Sequence, residues 1–545
     1  MTIAAVADRF WERYLELDPL IGTFIGDERY DGLLDDTSAE GRRRATRMYE
    51  ETLTKVSEID RETLFGEEQL TADLIEFAAR RQLARTDLNR LNAAAHNRLP
   101  AVILPSIASM QRVEDAAGLE RYLQRLHAVP GYFAGWAEVL REGIEAKQTS
   151  PGLIVDRTIG QFERLLDMDP DNSPGMTPVA NCDEADRQRV VDVLRDVVWP
   201  AHARYLDELR AYRPHATLTL GLHSLPDGEA LYRASMLEHT SLDLDPAEVF
   251  EEGRTRLAEA REEQRRTANE LGFASAAEAI GSLRGTDRWS AATPEQMLAR
   301  AMELVRRGWE GSRELVGRMP EAECLVQPIE PYRELDAGSA YYVGSTPNGS
   351  RPGVFYINTS SLHERPLYQS AVTAFHEANP GHHLQHALEL EQTGLHPVRR
   401  FGGFLAGDAS AEGWALYAER LADELGLYDD GFQRLGMLES RCVRACRLVV
   451  DTGLHAFGWT RERAIDAMLE VGMTRTWSES DIDRYIAMPG QALAYTIGFS
   501  RVERWRAEAE RRDGFSLRAF HDRLLSLGSL PLASLERALQ SDDEA

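Results

Sequence analysis

Four of the chain's 14 histidines fall in one short stretch, His376-Glu-Ala-Asn-Pro-Gly-His-His-Leu-Gln-His386. His376-Glu377 is the first half of an arrangement in which two imidazoles one helical turn apart hold zinc and a glutamate activates water. At the fifth position, where the second imidazole would stand, the chain has Pro380, and the next histidines are His382 and His383. On an unbroken helix His383 would lie about 10 Å along the axis from His376, whereas both rings must reach about 2.0–2.1 Å from one ion. A regular helix therefore excludes a shared ion. Pro380 cannot donate to the carbonyl of His376 and crowds it, so the helix is expected to open there, with Gly381 supplying backbone freedom. With two residues looped out, His382 takes the missing place, and His383 is the competing choice or a supporting group. A Pro-Gly helix break beside partly buried histidines is the competing account of the same letters.

A catalytic zinc site takes a third protein ligand and leaves a fourth position to water. Downstream, Gly407 to Gly426 reads as a capped amphipathic helix, with Asp408 or Ser410 at its start and Gly426 past its end. Glu412 falls in the first turn, with Ala415 and Glu419 on the same face. Glu412 is the expected third ligand. A glutamate favoured there by the helix dipole would leave the same trace without a metal.

These two strings, His376 to Gln385 and Glu412-Gly-Trp-Ala-Leu-Tyr-Ala-Glu419, resemble the large bacterial family known as domain of unknown function 885. The resemblance extends to Leu17 to Asp31, Arg351-Pro-Gly-Val-Phe-Tyr-Ile-Asn358 and Pro489-Gly-Gln-Ala-Leu-Ala-Tyr495, and so covers almost the whole chain. It implies a mostly helical fold distantly similar to the gluzincin metallopeptidases, whose third ligand is a glutamate, and with it a metal-dependent hydrolase.

Composition narrows the alternatives. A formal net charge of -27 argues against nucleic acid or an anionic membrane surface as a partner. The 43% hydrophobic and 28% charged content is ordinary for a globular chain, and 545 residues suffice for a large core. Arg9, Glu12, Arg13 and Glu16 punctuate the first twenty residues, so no signal peptide is read there. No apolar run is long enough to span a bilayer. Four scattered cysteines, Cys182, Cys324, Cys442 and Cys446, fit a reducing cytoplasm. Cys442 and Cys446 share a helix face and are expected as small buried thiols rather than a metal pair.

Around this stretch the sequence predicts a mainly α fold. Apolar spacing gives helices at 1–17, 38–59, 66–93, 116–127, 130–147 and 154–167, then 183–211, 247–271 and 294–319. The proline-rich loop Asp169 to Pro178 separates a helical N-terminal portion, 1–170, from a catalytic portion, 179–545. Ala216 to Leu222 reads as extended. Three short β-branched or aromatic runs, 323–330, 339–344 and 353–358, predict a small antiparallel element just before the metal stretch, with a turn at Pro347 to Pro352. The acidic tail from Ser541 is expected to fray.

Hydrolysis of an amide also needs a donor to the oxyanion and a proton for the leaving amine. Glu377 serves as base and then acid. Tyr495 is the expected oxyanion donor, partly on the resemblance, with Gln491 one turn earlier on the same face. Asp451 and His455, spaced i and i+4, form a candidate pair to orient a ligand or donate to the transition state. Arg447 or Arg501 is a candidate grip for a substrate carboxylate. Val354 to Asn358, through Tyr356 and Asn358, is the candidate strand for an extended substrate, with closure of the core as the equal alternative. The expectation is a cytoplasmic hydrolase with one zinc ion acting on a small peptide or amide. A non-catalytic helical binding protein with a structural or vestigial metal site, or a metal-dependent lyase on a small metabolite, is the alternative.

Overall fold

The computed structural model describes residues 2–541 apart from 284–285, 331–333, 335–337, 348 and 350. The acidic end of the chain, 542–545, and part of the expected turn at 347–352 lie outside the described residues. Helix accounts for 70% of the chain and strand for 3%, which is the mainly α class expected. The chain forms two compact units. The first takes the chain up to Ser235 together with Leu454–Gly458 and Asp481–Pro489; the second takes Met236–Gly453, Trp459–Ser480 and the chain from Gly490.

In the first unit, helices Ile3–Leu17, Ala39–Ser57, Glu67–Asn92, Ala116–Ala146, Gly152–Leu166 and Trp199–Tyr212 follow the predicted periodicity. Thr2, Ser38 and Asp115 each accept a first-turn amide, which sets the starts. The two helices expected at 116–127 and 130–147 are one helix with Pro130 inside it. Its buried stripe, including Leu119, Tyr122, Leu126, Phe133 and Leu140, packs into one core with Phe162, Tyr205 and Leu209. That burial outweighs the hydrogen bond the proline removes. Residues 169–178 lie within this unit as 3-10 turns. The stretch 216–222 makes only a bridge, Thr217 to Pro151, rather than a strand.

The second unit carries the histidine stretch. Helix α1 (Pro294–Leu315) is followed by strands β1 (Cys324–Pro328), β2 (Ala340–Val343) and β3 (Gly353–Ile357). Helices α2 (Ser370–Glu377), α3 (His382–Leu390), α4 (Ala409–Glu424), α5 (Gly431–His455) and α6 (Ala494–Ala509) come next. The sheet order is β1-β3-β2, with β1 parallel and β2 antiparallel to β3. The sheet is thus mixed, not antiparallel throughout. Its central strand is β3, the strand expected to receive substrate. Both its edges are taken by neighbours, so Val354 to Ile357 cannot add a further strand.

Side chains alternate along β3. Phe355 and Ile357 pack with Leu304 of α1, Phe375 of α2 and Leu438 of α5, while Tyr356, on the opposite face, stacks on Tyr341 at 4.9 Å. Two close backbone approaches fix the helices. A Cβ on Gly308 of α1 would overlap the carbonyl oxygen of Asn379, and one on Gly498 of α6 would overlap that of Ala409 in α4. Gly413 and Gly498 face each other across the α4–α6 crossing.

Candidate metal centre

The helix does open at the proline. α2 ends at Glu377 and α3 begins at His382, and the His383 amide donates to the Ala378 carbonyl at 3.0 Å, closing a short loop. Gly381 has φ -80, so a left-handed conformation is not what requires glycine here. Contact is the reason: a Cβ at Gly381 would overlap the carbonyl oxygen of His376. Trp414 of α4, 1% exposed, donates its indole N–H to the Pro380 carbonyl at 2.9 Å and so ties the loop to the helix that carries Glu412.

Ligand atoms of His376, His382 and Glu412 all lie within 4.8 Å of one another. His376 Nε2 and His382 Nε2 approach the same carboxylate oxygen, Glu412 Oε2, at 3.4 and 3.5 Å. That oxygen is buried yet has no hydrogen-bond partner among the described residues, and neither has His382 Nδ1. Two atoms each 2.0–2.1 Å from one tetrahedral ion are about 3.4 Å apart. The spacing and the orphaned carboxylate oxygen therefore fit a divalent ion such as zinc better than a set of hydrogen bonds.

Electrostatics in the cluster run the same way. Burial alone would lower the pKa of His376, but the Glu412 and Glu419 carboxylates outweigh it and raise it to about 9. Burial alone would raise that of Glu412, but the two imidazoles hold it well below the usual carboxylate range. A cation is what this pocket stabilises, and a bound metal would take the proton's place. His376 Nδ1–H donates to Glu419 Oε1 at 2.9 Å, which holds the ring with Nε2 turned to Glu412.

Glu377 is half-buried beside His376, and nothing among the described residues hydrogen-bonds its carboxylate. Tyr495, in the first turn of α6, lies 6.4 Å from the His376 ring at an interplanar angle of 23°. Arg444 and Arg447 of α5 place their guanidinium carbons 4.5 and 4.7 Å from the Tyr495 ring centroid. Asp451 accepts the Gly490 amide at 3.0 Å, and Gly490 has φ +77, so this turn aims the Gln491–Tyr495 segment. Gln491 is buried at the turn, and Arg501 is half-buried farther along α6.

Other candidates are held elsewhere. His383 is fully buried, with Nε2–H donating to the Ala322 carbonyl at 3.0 Å and Nδ1 accepting from Tyr342 at 2.9 Å. Burial lowers its pKa to about 4, and both nitrogens of the neutral ring are used, so it supports rather than replaces His382. His455, likewise lowered to about 4 by burial, bonds the Tyr485 carbonyl at 3.0 Å and the Leu222 amide at 3.4 Å. A ring committed on both nitrogens has no proton to give a substrate. Asn358 is fully buried, and its amide nitrogen donates to the carbonyls of Glu334 and Gly338 while its oxygen accepts from Ser360, which organises a loop. Asp408 precedes α4 without capping it, because its carboxylate accepts from His239 at 2.7 Å. Cys442 and Cys446 are buried free thiols.

Glu419, Trp414 and Arg444 were not singled out by the sequence reading as parts of the centre. Glu419 had a signal, its seven-residue offset from Glu412 on one helix face. Trp414 and Arg444 had none, because their partners come from distant segments.

Fold and cluster together define a mainly helical protein with a candidate centre of two histidines and one glutamate. The chain belongs to the family described as bacterial protein of unknown function (DUF885), whose model matches residues 19–539. Its fold is similar to the crystal structure of a candidate lipoprotein from Colwellia psychrerythraea, with a TM-score of 0.93 at 23% identity, covering 100% of this chain and 99% of that one. It is also similar to a candidate lipoprotein of unknown function from Shewanella oneidensis, with a TM-score of 0.76 at 17% identity, covering 99% and 100%. No curated protein matches the sequence. At these identities the likeness is one of fold.

Proposed function

We propose that the protein is a zinc-dependent hydrolase of peptide or other amide bonds in short substrates. The observation that carries the reading is the convergence of His376, His382 and Glu412 on one point beside a half-buried glutamate, Glu377, that has no hydrogen-bond partner among the described residues. His376, His382 and Glu412 would hold the ion. Zinc, when bound, supplies a Lewis acid that makes water acidic near neutral pH and polarises a carbonyl. Glu377 takes a proton from water and passes it to the leaving nitrogen. Tyr495 donates to the oxyanion, and the arginines stacked on its ring favour negative charge there. The order His-Glu, then His, then a later Glu is also what the distant gluzincin likeness rests on.

We place the activity in the cytoplasm on the free thiols. The two structural neighbours are named as candidate lipoproteins, and fractionation of cells producing this chain tests the cytoplasmic placement against a membrane-attached one. The central test is metal content and turnover of Glu377→Gln. About one zinc per chain with hydrolysis reduced at least 100-fold is expected. A protein purified without chelators that carries no metal, or a variant that turns over like the parent, overturns the reading.

A further inference from the structure

Two guanidinium groups share one ring at the edge of the candidate centre. The carbons of Arg444 and Arg447 lie 4.5 and 4.7 Å from the centroid of Tyr495, whose ring lies 6.4 Å from that of His376. Neighbouring arginines on α5 are committed to carboxylates: Arg434 to Asp423 at 2.9 Å and Arg441 to Glu263 at 2.7 Å. Arg444 differs. Its ion pair among the described residues is with Glu419 at 4.0 Å, and that oxygen already accepts from His376. Its Nε is buried with no hydrogen-bond partner among the described residues, although a guanidinium carries five N–H donors in a fork that fits a carboxylate.

We propose that Arg444 and Arg447 form a carboxylate subsite, so that the substrates are peptides or N-acyl amino acids cut at the bond next to a free C-terminal carboxylate. The inference rests on the hydrolase reading. Proximity supports it: the Tyr495 ring lies 6.4 Å from that of His376 and has both guanidinium carbons within 4.7 Å of its centroid, so the forks stand next to the candidate centre. Water adds to the carbonyl carbon, the C–N bond breaks, and both water protons end on the leaving nitrogen. An acyl carboxylate and a free amino acid, as its ammonium form, result.

The test offers the zinc-loaded protein two acetyl-dipeptide libraries, one ending in free carboxylates and one in primary amides, with release read by mass spectrometry. Release at least ten-fold faster from the acids is expected. That ratio should fall towards one in Arg447→Gln and in Arg444→Gln, through KM for the acids and with zinc content unchanged. A merely structural role would not move the ratio. Equal release from both libraries overturns the subsite and leaves the hydrolase reading standing. Saturation-transfer NMR on Glu377→Gln reads binding without turnover. A signal confined to the acid library and lost when Arg447→Gln is added sustains the subsite even where neither library is cleaved. Equal signals, or none from either library, overturn it.

Discussion

Glu419 Oε1 accepts a hydrogen bond from His376 Nδ1 at 2.9 Å, and Glu419 is itself only 1% exposed. The carboxylate orients the imidazole and raises the basicity of its Nε2. Glu419→Gln is expected to weaken zinc binding by about 10–100-fold while the fold persists. Competition against a chromophoric chelator measures it, and unchanged affinity would show that the contact does not orient the ring.

Gly381 is needed for contact with the His376 carbonyl. Gly381→Ala is expected to push the loop outward, destabilise the protein by about 1–3 kcal/mol and displace His382 from Glu412. Denaturant unfolding and zinc stoichiometry check the two effects separately.

Chelation should lower the melting temperature. A ligand present at 100–1,000 times its Kd stabilises the folded state by about 3–4 kcal/mol, and that increment disappears with the ion. In a His382→Ala variant, adding or removing zinc should leave the melting temperature nearly unchanged. Calorimetry with and without zinc reads both.

Glu389 supplies a pH dependence away from the centre. Burial raises its pKa from 4.5 to about 7, against the opposing pull of hydrogen bonds from the Ser529 amide and hydroxyl. The folded protein therefore prefers the protonated acid. Stability is full near and below pH 4.5 for this group, falls as pH rises towards 7, and stays at the lower level above. Glu389→Gln should flatten that limb by on the order of 1–3 kcal/mol, measured as unfolding free energy between pH 5 and 8. An unchanged slope would show that Glu389 is ionised in the fold.

Helix starts in the first unit were readable because Ser38 and Asp115 cap locally and apolar residues recur at helical spacing. The helix break at Pro380 was readable for the same reason: a proline acts on its own backbone. Pro130 misled, since whether a helix survives a proline depends on what its far side buries. The role of β3 was not readable. Strand order is set by partners far along the chain, and β1 arrives beside β3 in parallel through a connection that carries no local signal. His383 and His455 could not be excluded from sequence for a related reason. What removes them is a carbonyl from Ala322 and one from Tyr485, and neither lies near in the chain.

The crossing of α4 and α6 at Gly413 and Gly498 also orders events in time. The histidines and Glu412 leave the ribosome well before Gly498, whose backbone packs directly on Gly413 of the helix bearing Glu412. A nascent or C-terminally clipped chain would thus hold all three donors while lacking the α6 backbone that packs on the helix carrying Glu412.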